Sequence, residues 1–270
     1  MKKIISICAL FIFGAIQSVY AEDNSLVIQG STTVLPIAQK CAEMFSQKHP
    51  GVDISVRGGG SGTGIAALID GICDIADSSR PIKDKELNKA IDRRIDPIAH
   101  VVAMDGIAVI VHPSNQVNGL SLSQIEDIYT GKISNWSQFG GDNQKIIVIS
   151  RDVASGTYEC FSKIALKKQR VRPDALLQAS NMAVTSTVTR TKGSIGYVGL
   201  GYLCSEVKAL VVQGIEPSVE TVLKNTYPIS RPLFMYTDGK PKGLVKDFIR
   251  FVLSMEGQKI IKKQGFVSLD

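Results

Sequence analysis

Three times in this chain a short apolar run ends in a cluster of glycine and hydroxyl residues, and each cluster leads into helical spacing. Leu26-Val27-Ile28 runs into Gly30-Ser31-Thr32-Thr33, after which Val34, Ala38, Cys41 and Phe45 recur at helical intervals. Val52 to Val56 runs into Arg57-Gly58-Gly59-Gly60-Ser61-Gly62-Thr63-Gly64, followed by Ile65, Leu68 and Ile69. Ile146 to Ile149 runs into Ser150-Arg151-Asp152-Val153-Ala154-Ser155-Gly156-Thr157, followed by Phe161, Ile164 and Ala165 on one face. Strands that feed helices through short polar loops build a parallel sheet covered by helices, and ligands on such sheets sit at the carboxyl ends of the strands. The fold class is therefore α/β.

The remaining elements extend that order. A third short strand is expected over Cys73 to Ala76, then a polar loop Asp77-Ser78-Ser79-Arg80-Pro81 and a charged helix from Lys83 to Arg94. His100 to Val111 is apolar on both sides and is broken by Asp105-Gly106. A buried carboxylate there is costly without a donor. A chain crossing between two lobes accounts for both the length and the glycine. The second half predicts a helix over Ser123 to Tyr129, a loop holding Trp136, a Thr-rich helix from Asn181 to Arg190, and strands over Ile195 to Val198, Ala209 to Val212 and Leu233 to Thr237. Helices over Leu244 to Leu253 and Gln258 to Lys263 close the chain. The expected division is residues 22–104 in a first lobe, 105–205 in a second, and 206–270 returning to the first.

Met1 to Ala21 has the pattern of a secretory signal: Lys2 and Lys3, an apolar stretch from Ile4 to Ile16, and small residues at Val19 and Ala21, which places the cut after Ala21. The apolar stretch is shorter than the ~20 residues of a spanning helix. The formal net charge of +6 is interspersed, unlike the basic stripe of a nucleic-acid binder, and suits a small anion. Of five cysteines, Cys8 lies in the signal. Sequence order suggests Cys41–Cys73 and Cys160–Cys204 disulfides, with buried free thiols as the alternative. The three histidines are scattered and no C-x-x-C occurs, so no metal or other cofactor is expected.

Each polar loop offers backbone N–H groups, hydroxyl donors and a helix start that favours an anion. Arg151 adds a planar fork suited to an oxyanion. Read alone, the Arg57–Gly64 loop is either an anion cradle or an ordinary strand-to-helix turn; its recurrence at Ser155 argues for the cradle. Other phosphate and nucleophile motifs fail. Gly131-Lys132 is followed by Ile133, Gly58 to Gly64 lacks G-x-G-x-x-G spacing, and Thr63 occupies the last position of G-x-S-x-G. A phosphohydrolase would need a nucleophile–base pair or a metal cluster, and neither is evident.

These residues carry a family likeness over nearly all of the chain beyond the signal. GSTTVLP at Gly30, GGGSGTG at Gly58, DIADSSRPI at Asp74, DGIAVIVHP at Asp105, YTGKISNW at Tyr129, SRDVASGT at Ser150, KGSIGYV at Lys192 and GQKIIKKQGFVSL at Gly257 together resemble the periplasmic phosphate-binding proteins of high-affinity phosphate ABC importers. The resemblance implies a two-lobed periplasmic-binding-protein-like fold, each lobe a mostly parallel sheet flanked by helices, that closes on inorganic phosphate in its cleft. It further implies a periplasmic, monomeric, non-enzymatic receptor that docks on a membrane permease. The phosphate site it implies comprises Ser31, Thr32, Thr33, Ser61, Gly62, Thr63, Ser79, Arg80, Asp105, Arg151, Ser155, Gly156 and Thr157. The third loop departs from the family pattern, with Val153 for an acidic residue and Ala154 for a glycine. Ser79 stands where longer members place an aspartate. An acceptor for the phosphate proton is then sought first at Asp105, next at Asp77 or Asp152, against the alternative that these are structural carboxylates. A binder of sulfate, molybdate or another oxyanion on the same scaffold is the competing reading.

Overall fold

The structure is a computed structural model that describes residues 24–269; the expected signal segment and its cut lie outside the described residues. The first half runs β1 (Ser25–Gly30), α1 (Leu35–Lys48), β2 (Asp53–Gly58), α2 (Ser61–Ile69), β3 (Ile75–Ser78), α3 (Asp84–Asp92) and the long β4 (Pro97–Val111). There follow β5 (Gly119–Leu120), α4 (Leu122–Thr130), β6 (Ile147–Arg151), α5 (Gly156–Ile164), β7 (Leu176–Gln178), α6 (Asn181–Arg190) and β8 (Ser194–Gly199). The chain ends through β9 (Lys208–Ala209), β10 (Val211–Val212), α7 (Val219–Leu223), β11 (Ser230–Asp238), α8 (Gly243–Leu253) and α9 (Met255–Lys263). Among the described residues no helix is long and apolar enough to cross a membrane.

One curled sheet runs through the molecule in the order β2-β1-β3-β11-β4-β8-β6-β7, with β9 also on β4. The trios β2-β1-β3 and β8-β6-β7 are parallel, and antiparallel β11 and β4 join them. β4 is shared: Pro97 to Gly106 pair with β11, and Ile107 to Val111 pair with β8. Asp105-Gly106 is thus the point where the strand changes partners, which is why an apolar run of this length carries a polar interruption.

Two large apolar cores follow from that change of partners. The first gathers Leu26 and Ile28 of β1, Ile37, Cys41 and Phe45 of α1, Leu233 and Met235 of β11, and Phe248, Val252 and Ile261 of the closing helices. The second gathers Ile107 to Val111, Tyr129, Trp136, Phe161, Val184 and Tyr197. Val207, Leu210, Val212, Val222, Tyr227 and Ile229 also pack into the second core. The chain therefore rejoins the first core at β11, later than the residue 206 expected from sequence. The reason is visible locally: the short runs either side of Leu210 pair with β4 and β5 and stay with the second core.

Cys41, Cys73, Cys160 and Cys204 are free, which overturns the suggested disulfides. Cys41 on α1 packs in the first core, whereas Cys73 packs with Ala67, Leu68 and Phe234 in a separate cluster. Alternate β1 residues divide between the same two clusters, Leu26 and Ile28 against Val27, so the sheet separates the two thiols. Burial, and secondarily Asp77, pushes both thiols up to about 12.

β3 also begins two residues later than sequence suggests, so Asp77 and Ser78 are strand and not loop. Asp77 lies opposite Met235 of the first core, 1% exposed, and neither of its carboxyl oxygens has a hydrogen-bond partner. Burial raises its carboxyl well above the ordinary range. Folding therefore favours the protonated acid. Its contribution is fully present below the unfolded value of about 3.9 and is lost as pH rises from there toward the folded value. An Asp77→Asn variant lacks that loss. Its melting temperature relative to the native chain is expected to be higher at pH 7.5 than at pH 4; a pH-independent difference would contradict the burial argument.

Candidate anion-binding site

Helix starts converge where the two cores meet. α1 begins after the Ser31–Val34 turn, α2 at Ser61, α5 at Gly156 and α6 at Asn181. Thr33, Ser61, Arg151, Ser155, Thr157 and Asn181 are all buried. Each helix start leaves backbone N–H groups without intrahelical partners and adds a partial positive charge.

The first turn is held from within. Ser31 Oγ accepts from the N–H of Thr33 (3.1 Å) and Val34 (3.4 Å), and the Tyr202 hydroxyl donates to the Thr32 carbonyl. Thr33 Oγ1 lies 2.9 Å from Thr157 Oγ1, joining the loops of both cores. In the second loop, Ser61 Oγ accepts from the Ser79 N–H at 3.0 Å and lies 3.3 Å from Ser79 Oγ. The Gly62 N–H crosses to the Ala154 carbonyl at 2.9 Å. Gly60, at φ +101°, permits this approach: a Cβ there would lie 2.7 Å from the Ala154 carbonyl oxygen. Thr63 donates back to the Gly59 carbonyl at 2.8 Å and is not brought into the cluster.

The third loop supplies the charge. Arg151, 2% exposed, donates from Nε to the Gln178 carbonyl (2.9 Å) and from Nη2 to the Ala179 carbonyl (3.0 Å). Nη1 is buried without a protein partner. Two edges of the fork are fixed and the third is left to donate. Burial chiefly, and Arg231 secondarily, lowers its pKa, but an arginine stays charged. Ser155 Oγ caps α5 by accepting from the Tyr158 N–H at 3.2 Å. Asp152 Oδ1 accepts from the Ala154 N–H at 2.8 Å and so holds the turn. Ala154 is not among the positive-φ residues, which is how the loop tolerates its Cβ.

Arg80 is turned away from the cluster by carboxylates. Nη1 and Nη2 grip Glu86 at 2.8 and 2.6 Å. Nε lies 2.9 Å from Glu159 Oε2, off the direction a hydrogen bond needs. Lys83 Nζ reaches the same Glu159 oxygen at 2.5 Å. These pairs tie the segment after β3 to α5 and so join the two halves.

Asp105 is fully engaged. Its Oδ1 accepts from the Leu200 N–H at 3.0 Å, and its Oδ2 accepts from Arg231 Nη2 (2.8 Å) and Nε (3.1 Å). Burial raises its carboxyl, opposed by the Arg231 charge and these donors. Arg231 and Asn181 were not singled out from sequence. Arg231 sits beside Pro232, ahead of the apolar run at Leu233 where the sequence predicts the strand to start; β11 pairs Arg231 with Asp105. Asn181 follows Ser180, whose hydroxyl caps α6 by accepting from the Ala183 N–H, and that cap was the available signal. Among the described residues no group of three or more His, Cys, Asp or Glu could hold a metal ion.

Against known proteins, the family description "PBP superfamily domain" matches residues 17–256. The phosphate-binding protein PstS of Bacillus subtilis is 35% identical over 246 residues, 90% of this chain and 80% of that one. This chain belongs to the phosphate-binding protein family of the PBP superfamily. PstS of Staphylococcus aureus (strain USA300) is 34% identical over 88% of this chain and 76% of its own. Among solved structures, a substrate-binding protein with bound phosphate from Clostridium perfringens superposes with a TM-score of 0.85 at 35% identity, covering 91% of this chain and all of that one. An ABC-type phosphate transport receptor from Vibrio cholerae gives 0.73 at 32% identity, covering 90% and 99%. The mixed α/β architecture is the fold of this family.

Proposed function

We propose that this chain is the extracytoplasmic receptor of a phosphate ABC importer, binding inorganic phosphate between its halves and presenting it to a membrane permease. The observation that carries the reading is Arg151: a buried guanidinium, fixed by two carbonyls, with Nη1 left without a protein partner, in the loop that leads into the α5 start at Gly156 and Thr157. Ser31, Thr32 and Thr33 add the start of α1, with Thr33 Oγ1 against Thr157 Oγ1. The family relationship supports the same ligand.

The two lobes are residues 24–104 with 230–269, and 105–229, meeting at Asp105-Gly106 and β11. Closure brings the lobes together on the anion, since each supplies donors the other lacks. The receptor is non-enzymatic, monomeric and periplasmic after cleavage following Ala21, and it has no role with nucleic acid.

Selectivity follows from which carboxylates are free. Asp105 is held by Arg231 and Leu200, Asp77 faces the first core, and Asp152 holds its own turn. The phosphate proton is then accepted by the Ser61–Ser79 hydroxyl pair, in which either oxygen can be the donor. A hydroxyl that can turn to donate to sulfate discriminates less than the ~10⁴-fold of a fixed polar partner. Calorimetry of ligand-stripped protein is expected to give one phosphate per chain, with sulfate binding roughly 10- to 100-fold more weakly. Absence of phosphate binding would overturn the function. Sulfate discrimination above ~10⁴ would return the acceptor role to a carboxylate.

A further inference from the structure

Asn181 and Arg231 together leave the hydroxyls of the cluster only one hydrogen-bonding direction. The orientation of Asn181 is settled by Gly199. The Gly199 N–H can only donate, and it lies 3.3 Å from Asn181 Oδ1. The amide nitrogen must therefore face the other way, where it meets Thr32 Oγ1 at 3.1 Å and Thr33 Oγ1 at 3.0 Å, one N–H for each. Arg231 Nη2 is likewise donor only. It sends one N–H to Asp105 Oδ2, and its other is shared between Thr33 Oγ1 (3.2 Å) and Thr157 Oγ1 (3.1 Å).

A hydroxyl has one hydrogen and two lone pairs. Both lone pairs of Thr33 Oγ1 are taken, by Asn181 and Arg231. Its hydrogen is what remains for the 2.9 Å contact with Thr157 Oγ1. Thr157 then accepts twice, from Thr33 and Arg231, and its own hydrogen has to point away from both. Asn181, Thr33 and Arg231 are all buried, at 0%, 0% and 3% exposure, so water does not offer competing partners.

We infer that Asn181 and Arg231 are positioning residues of the anion site, driving a one-way relay from Asn181 through Thr33 that makes the Thr157 hydroxyl an obligate donor to the bound oxyanion. Asp105 serves the relay by holding Arg231 in place. Thr157 presents a hydrogen to the ligand at no cost of reorientation, and this wall of the site favours an unprotonated oxygen. Any ligand O–H is directed instead to the neighbouring Ser61 and Ser79 hydroxyls.

The relay is tested in two ways, and only the second rests on the phosphate reading above. Neutron diffraction from the deuterated, ligand-stripped protein locates the hydroxyl deuterons. The Thr33 deuteron is expected on the line to Thr157 Oγ1, with the Thr157 deuteron directed away from Thr33 and Arg231. A Thr157 deuteron donating to Thr33 would overturn the relay whatever the ligand proves to be. The second test is a double-mutant cycle with inorganic phosphate in calorimetry. Asn181→Ala is expected to weaken binding about five- to tenfold in the native background, the worth of roughly one hydrogen bond, and less than twofold in the Thr157→Val background, where no hydroxyl remains to orient. Equal losses in both backgrounds would overturn the proposal. Asn181→Asp preserves the side-chain shape and the acceptor for Gly199 but removes the donor. It should weaken phosphate at least as much while melting as a folded protein, and unchanged affinity in that variant would equally overturn it.

Discussion

Replacing Arg151 by alanine is expected to weaken phosphate binding roughly 10²- to 10³-fold in calorimetry. A charge-assisted hydrogen bond contributes about 1.5–3 kcal/mol, and Arg151 keeps a buried donor, Nη1, beyond its two carbonyl contacts. Losing the charge as well brings the cost to ~3–4 kcal/mol, hence that range. Arg151→Lys should not rescue it. A single ammonium cannot hold the Gln178 and Ala179 carbonyls and still present a planar edge to the anion. Near-native affinity in the lysine variant would mean that charge alone matters and the fork does not. Near-native affinity in the alanine variant would remove Arg151 from the site.

The second large effect comes from a residue that offers no side chain. A Cβ on Gly156 would lie 2.3 Å from Ser61 Oγ and 2.7 Å from Ser79 Oγ, inside the contact between the two halves. Gly156→Ala should therefore prevent full closure and weaken phosphate binding about a hundredfold. Gly156 is also the first residue of α5 and lies outside the positive-φ set, so alanine suits the backbone there. Alanine is the better helix former by up to about 1 kcal/mol. The expected signature is a split: melting temperature unchanged or raised, affinity greatly reduced. A variant that loses both would indicate that Gly156 serves folding and not closure.

The loops that build the site were legible because they use few residue types in a fixed order. Glycine with serine or threonine between a strand and a helix start pointed to Thr33, Ser61 and Thr157, which the fold buries where the two cores meet, and Arg151 followed from its loop. The β4 crossing was legible from a polar break in an apolar run. Other features depend on partners distant in sequence, which local pattern does not encode. Arg80 reads as a loop cation until Glu86 and Glu159 are placed against it. Asp105 reads as a free carboxylate until β11 sets Arg231 opposite. Cys41 and Cys73 read as a plausible pair until the sheet is placed between them. Asn181, hidden in a helix start 148 residues from the hydroxyl it orients, has no local signature of that role.

The central claim is that phosphate sits where the two halves meet, on Arg151. A crystal structure of the phosphate complex tests it most directly. The account predicts one phosphate with an oxygen within hydrogen-bonding distance of Arg151 Nη1 and further oxygens on the Ser61 and Thr157 hydroxyls. A phosphate bound outside that cluster, with Arg151 Nη1 making no contact to it, would contradict the account.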